Sequence, residues 1–152
     1  MTTKQITAVN ADEQIKQLYQ TAFPEEERIP WDDLLRLIGE MHLDFAAYYE
    51  GEGLIGFTIV YPRPEFSWFW YFAVKPELRG QGYGQQILSQ VIGHYRGQSL
   101  VMDERLGSFY SSEMILPWKI ITVDRVVSIG NEEPSSYLSD AKLLNPINEC
   151  IN

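Results

Sequence analysis

The sequence has a single cysteine, Cys150, so no disulfide can close within the chain and no cysteine cluster can hold a metal. Histidine is nearly as scarce. His42 and His94 lie far apart and fall in different predicted elements, where surface or packing roles suffice, and no metal site is expected. Basic residues are also few: 12 Lys and Arg against 21 Asp and Glu leave a net charge of −9. A nucleic-acid binder needs a surplus of Lys and Arg against phosphate, and an anionic membrane surface asks for the same, so neither partner is expected. No apolar run approaches the roughly 18–20 residues that cross a bilayer. Residues 1–10 carry one lysine and no apolar core, which does not read as a signal peptide. What remains is a chain of 152 residues, 45% apolar and 22% charged, the composition of one globular domain expected in the cytoplasm.

The apolar spacing predicts a short strand over residues 5–9. Asn10 and Glu13 then form a capping-box pattern. Ile15, Leu18, Tyr19 and Ala22 follow on one helical face. Pro24 ends that helix near Phe23, because the residue before a proline avoids the α conformation. A charged connector leads to Pro30, which suits the first turn of a second helix carrying Trp31, Leu34, Leu35 and Ile38. Residues 43–49 and 54–61 read as two strands joined by the glycine-bearing turn at Gly51 and Gly53. Phe66–Val74 is almost wholly aromatic and apolar, as in a strand buried on both faces. Residues 82–95 read as a helix, 99–102 as a short strand, and 118–123 with 125–129 as a closing hairpin. The order β-α-α-β-β-β-α-β predicts an α/β (α+β) fold with a mixed sheet flanked by helices. One domain is expected over residues 1–129, with an atypical C-terminal part. A polar, loosely ordered tail is expected over 130–152.

The chemistry is concentrated after the aromatic strand. Arg79-Gly80-Gln81-Gly82-Tyr83-Gly84 places three alternating glycines between that strand and a helix. Glycine accepts positive φ and lets a ligand reach the main chain. Successive N–H groups at a helix N-terminus form an anion nest. Arg79 adds a charged fork at its rim. A Walker loop would need Gly-Lys-Ser/Thr, but Gln85-Gln86 follow Gly84. A dinucleotide fingerprint would need G-x-G-x-x-G rather than this G-x-G-x-G. A glycine turn without function and a nucleotide-phosphate site remain alternatives at this point.

With Phe72-Ala73-Val74 and Pro76 ahead of it, the segment resembles the R/Q-x-x-G-x-G/A acyl-CoA signature of the Gcn5-related N-acetyltransferases. The stretch from Ala22 to Pro30 is similar to the first helix–helix connector of a bacterial branch of that family. The resemblance covers residues 5 to about 103. It implies an acyl-CoA N-acyltransferase fold with a mostly antiparallel twisted sheet. It also implies acetyl-CoA as acyl donor and an amine of a small molecule or peptide as acceptor. The main chain of Phe72, Ala73 and Val74 would pair with the pantetheine amides as an added strand. The N–H groups of Arg79, Gly80, Gln81, Gly82, Tyr83 and Gly84 would hold the pyrophosphate. The aromatic strand and the one at 99–102 would splay around the thioester, and the acceptor would enter beneath the connector at Phe23, Glu26, Arg28 and Trp31.

Acetyl transfer needs a neutral amine, an N–H donor for the oxyanion and a proton for the departing thiolate. The resemblance makes Tyr110, in the pair Phe109-Tyr110, the general acid. Asp103 and Glu104, at the end of the fifth predicted strand, are candidate bases, and Glu26 is a further one. Each carboxylate also reads as a solvated surface group. Where the family pattern continues Phe-Tyr-x-x-x-Gly-Phe, this chain has Met114 for the glycine and Ile115 for the phenylalanine. A non-enzymatic acyl-CoA-binding or interaction protein with a degenerate acceptor site is therefore the alternative. An exposed edge of the sheet could pair two copies into a homodimer.

Overall fold

The computed structural model describes residues 1–64, 66–95, 99–103, 119–123 and 126–130. The strands β1 (Thr2–Gln5), β2 (Asp44–Glu50), β3 (Gly53–Pro62), β4 (Phe66–Val74), β5 (Ser99–Asp103), β6 (Lys119–Val123) and β7 (Val126–Gly130) form one sheet in the order β1-β2-β3-β4-β5-β7-β6. Every neighbouring pair is antiparallel except β4 with β5. That parallel step needs a crossover, and α3 (Tyr83–His94) lies within it. Helices α1 (Glu13–Ala22) and α2 (Trp31–Glu40) separate β1 from β2.

Two apolar clusters follow from the two faces of the sheet. Ile15, Leu18 and Tyr19 of α1 and Leu34, Leu37 and Ile38 of α2 pack with Phe45, Phe57 and Tyr71. Ile87, Leu88, Val91 and Ile92 of α3 pack on the other face with Val60, Phe69 and Phe72. Strand β4 is thus buried on both sides, as its unbroken aromatic run predicts.

Several sequence expectations move. The first strand is Thr2–Gln5, not residues 5–9, since it pairs with β2 from Thr2↔Tyr49 to Gln5↔Ala46 and the chain then turns away. Val9, expected in the strand, is left exposed. Asn10 does not cap α1. Its Oδ1 accepts from Thr7 N–H at 2.7 Å and its amide donates to Gln5 O at 3.0 Å, closing the turn. Asp12 is the cap instead, accepting from Ile15 N–H at 3.0 Å. The C-terminal hairpin forms, but its second strand lies against β5, from Leu100↔Ile129 to Asp103↔Val126, and so extends the sheet. The expected tail from 131 onwards lies outside the described residues.

Candidate active site

The site begins where β4 and β5 part. They pair only over Phe66↔Ser99, Ser67↔Leu100 and Trp68↔Val101. Beyond Trp68, β4 runs on to Val74 with β3 on one edge and no β5 pairing on the other. Near its end, Lys75 N–H donates to Ile55 O at 2.8 Å. Because antiparallel hydrogen-bonded pairs alternate, Ala73 and Tyr71 turn their main-chain groups toward β3. Phe72 and Val74 therefore turn theirs toward the open edge. Val74 O is there indeed, accepting from Arg79 Nε at 3.2 Å. A row of main-chain donors and acceptors faces the divergence, ready for an extended amide chain.

The glycine segment continues from this edge. Pro76–Leu78 makes one 3-10 turn. Gly80 and Gly82 then take φ of +77° and +86°, with Gly82 as the N-terminal cap of α3. Both are left-handed conformations in which a side chain is strained. Gln86 N–H closes the first helical turn on Gly82 O at 3.2 Å, leaving the N–H groups of Tyr83 and Gly84 ahead of the helical ladder. Arg79, Gly80, Gln81 and Gly82 are exposed, while Tyr83 and Gly84 are half-buried. Gly84 lies against the Phe72 ring, where an added Cβ would be 3.9 Å from Cζ. An exposed helix N-terminus behind two left-handed glycines is a fitting seat for phosphate oxygens. All nine cofactor candidates, Phe72 to Val74 and Arg79 to Gly84, thus lie along one continuous path.

On the opposite side the chain holds the connector between α1 and α2 down on β4. Tyr71 donates its hydroxyl to Glu27 O at 2.9 Å. Tyr19 donates to Ile29 O at 2.8 Å and accepts from Ile29 N–H at 2.9 Å. Burial is the main cause that raises the Tyr19 phenol above its ordinary pKa. Phe23 ends α1 and meets Tyr71 edge-on at 5.0 Å between centroids, and Trp31 packs on Tyr19 at 5.7 Å. Two of the four acceptor-side candidates, Phe23 and Trp31, therefore converge around Tyr19. Glu26 is exposed in the 3-10 turn Glu25–Glu27. Arg28 turns its guanidinium onto Gln20 O of α1, so its fork holds the connector in shape. Asp103 is the last residue of β5, in register with Val126. Glu104 and Tyr110 lie outside the described residues.

One feature of β4 has no sequence signal. Ile59 pairs with Tyr71 but Val60 pairs with Phe69, so Trp70 is an extra residue in the strand. Such a bulge breaks the two-residue alternation. Trp70 and Tyr71 consequently share the α1/α2 face, their rings stacked at 5.3 Å. The indole N–H groups of Trp68 and Trp70 are buried and have no hydrogen-bond partner among the described residues. A buried donor left unpaired costs roughly 1–3 kcal/mol. An uninterrupted aromatic run holds no polar residue to mark the change of phase, so the bulge and these two donors were not legible. Gly56 was missed for a similar reason, since an isolated strand glycine does not say which neighbour comes close. Here an added Cβ would lie 2.2 Å from Ala73 O.

A sheet that divides at its parallel step, with a glycine-turned helix N-terminus behind the free edge, defines an acyl-CoA N-acyltransferase architecture. The profile of the Acetyltransferase (GNAT) family matches residues 12–108, and the chain belongs to that family. The match includes the whole glycine segment and ends just before Phe109-Tyr110. Among solved structures, the chain is similar to a protein of Bacteroides thetaiotaomicron assigned to the GNAT acetyltransferases, at 18% identity, with 94% of each chain covered and a TM-score of 0.75. It is also similar to an aminoglycoside 6'-N-acetyltransferase solved with coenzyme A, at 16% identity, 85% and 94% covered, TM-score 0.61. A third is the PaiA N-acetyltransferase of Thermoplasma acidophilum, also solved with coenzyme A, at 17% identity, 85% and 98% covered, TM-score 0.56. No curated protein matches the chain. Among the described residues no helix is long and apolar enough to cross a membrane, and no group of three or more His, Cys, Asp or Glu could hold a metal ion.

Proposed function

We propose that this chain transfers the acetyl group of acetyl-CoA to a primary amine of a small molecule or peptide. The observation that carries the reading is the free edge of β4 beyond Trp68, leading without interruption into Gly80, Gly82 and the N-terminus of α3. In this reading the outward main-chain groups of Phe72 and Val74, with Ala73 between them, pair with the pantetheine amides. The N–H groups of Arg79, Gly80, Gln81, Gly82, Tyr83 and Gly84 take the pyrophosphate oxygens. Arg79 releases Val74 O as the pantetheine arrives, and its guanidinium is then available to a phosphate. This local field accounts for polyanion binding by a chain of net charge −9.

The acceptor enters from the α1/α2 face, past Phe23, Glu26, Arg28 and Trp31. Its neutral nitrogen attacks the thioester carbonyl, the C–S bond breaks, the nitrogen gives up a proton and the thiolate takes one. Asp103 or Glu104 is assigned the first proton and Tyr110 the second. Thermal unfolding with acetyl-CoA, with ATP as phosphate control, tests the cofactor half. Ligand at about 100 times its dissociation constant stabilises by roughly 2.7 kcal/mol, a rise on the order of 5–11 °C. A rise with acetyl-CoA but not ATP supports the reading, and no rise with either refutes it. Gly84→Val, placed over the first-turn N–H groups, should remove the acetyl-CoA shift. Thiol release over a panel of amines then tests turnover. A thermal shift without turnover on any amine would favour a non-enzymatic acyl-CoA-binding protein.

A further inference from the structure

We propose that Arg79 determines which acyl donors the site accepts. Its guanidinium closes the pantetheine edge at Val74 O and gives way to a donor phosphate. The site therefore takes thioesters of phosphorylated pantetheine and disfavours unphosphorylated ones. The inference rests on the acetyl-transfer reading and deepens it by naming the donor class and the residue that sets it. Val74 O faces the open side of β4, and Arg79 Nε donates to it at 3.2 Å. The local fold builds this contact. Leu78 N–H bonds to Lys75 O at 2.9 Å and Arg79 N–H to Pro76 O at 3.3 Å. The 3-10 turn they close brings the Arg79 side chain back to the carbonyl of Val74. The pantetheine amide and the guanidinium thus compete for one oxygen.

The charges decide which way that competition goes. The guanidinium's partner is a neutral carbonyl, and Arg79 forms no ion pair among the described residues. Glu77 is the only acidic residue from Lys75 to Tyr95, so little opposes a phosphate here. A charge-assisted bond is about twice as strong as a neutral one, and two parallel N–H groups of the fork can share it. Arg79 adjoins Gly80, where the left-handed turn toward the α3 N-terminus begins, and its exposed side chain can turn there without displacing the core. A donor with a phosphate gives the guanidinium a stronger partner and clears Val74 O in the same movement. A donor without one must displace a charged group with an amide N–H and leaves the guanidinium to water. Selection comes from the occupied edge as well as from the phosphate contact.

S-Acetylpantetheine and acetyl-CoA carry the same thioester arm and differ in the phosphates and the nucleotide. Arg79→Met keeps an unbranched stem and removes every donor, and Arg79→Ala removes the stem as well. Arg79 is exposed, so both variants should melt close to the wild type. Dissociation constants from thermal-shift titrations should move in opposite directions. S-Acetylpantetheine should bind both variants about threefold tighter, the worth of one hydrogen bond that no longer opposes it. Acetyl-CoA should bind both more weakly, by about three- to tenfold, as the phosphate contact is lost. Variants that bind S-acetylpantetheine no tighter than the wild type overturn the inference. A residue touching phosphate alone would leave that binding unmoved, and one supporting the loop alone would weaken both donors. Undiminished acetyl-CoA binding in both variants overturns it too. The wild-type acetyl-CoA shift separates the two levels. Its absence refutes acetyl transfer itself, while its presence with no gain for S-acetylpantetheine refutes only the selecting role of Arg79.

Discussion

Replacing Gly56 by alanine tests the β3–β4 contact on which the free edge depends. Gly56 faces Val74 across the two strands, and its added Cβ would lie 2.2 Å from Ala73 O and 3.1 Å from Val74 Cα. Cβ contacts below 3.0 Å are essentially not found, so the strands must part by about 0.8 Å. The neighbouring bond from Lys75 N–H to Ile55 O starts at 2.8 Å. The same opening would stretch it to roughly 3.6 Å, beyond hydrogen-bond range. Overpacking together with one weakened bond should cost about 2–3 kcal/mol. At about 2–4 °C per kcal/mol for a chain of this size, Tm should fall by about 4–12 °C. Acetyl-CoA affinity should fall as well, because the displaced residues are those whose main chain borders the site. Gly93→Ala is the control: it sits in α3 with open space around it and no positive φ, and should raise stability by about 0.5–1 kcal/mol. Differential scanning calorimetry of both variants decides the matter. Should Gly56→Ala melt with the wild type while Gly93→Ala melts higher, the close approach of β3 to Ala73, and the argument built on it, would be wrong.

Three further outcomes follow from named contacts. Tyr19→Phe removes both bonds to Ile29 and strands its buried N–H, so urea unfolding should show a loss of about 2 kcal/mol. Acceptor KM should rise with it, since the connector loses an anchor. Gly82→Ala places a side chain at φ +86° and should cost about 1–2 kcal/mol, read from the same urea midpoints, although nothing obstructs the Cβ. The third concerns alkaline pH. Burial first of all raises the phenol pKa values of Tyr19 and Tyr48 above the ordinary value of 10.0. Below pH 10 folded and unfolded chains both keep these protons. Above it the unfolded chain loses protons that the fold retains, so stability declines by up to about 1.4 kcal/mol per pH unit for each group. Tyr95 is raised too, by burial first and then by its hydrogen bond to Asp44 and that carboxylate's charge, and acts in the same direction, whereas Tyr49, raised by burial but more exposed, should add less. Urea midpoints between pH 8 and 11, followed with phenolate absorbance, should fall from about pH 10. The slope should be shallower in Tyr48→Phe, and a flat profile to pH 11 would contradict the burial assignments.

Much of this protein is determined by its sequence alone, because the deciding interactions are local. Apolar spacing at Ile15, Leu18 and Tyr19 sets α1, and Pro24 stops it at Ala22 by holding Phe23, the C-terminal cap, in an extended conformation. Glycines at 80 and 82 stand where the chain needs positive φ, so the glycine turn and the helix behind it were legible together with the family they resemble. The capping of α1 was not, since Asn10 and Asp12 can each cap, and the choice went to Asp12 once Asn10 was taken by Thr7 and Gln5. The place of β7 between β5 and β6 was likewise decided by pairing between distant strands. The same holds for the bulge at Trp70. Whether an aromatic strand keeps or breaks its alternation depends on how β3 aligns with it, and an unbroken run of large apolar side chains is compatible with either. Only the tertiary structure could therefore set Trp70 and Tyr71 side by side beneath the connector, end the β4–β5 pairing at Trp68, and bury two indole donors that have no partner among the described residues.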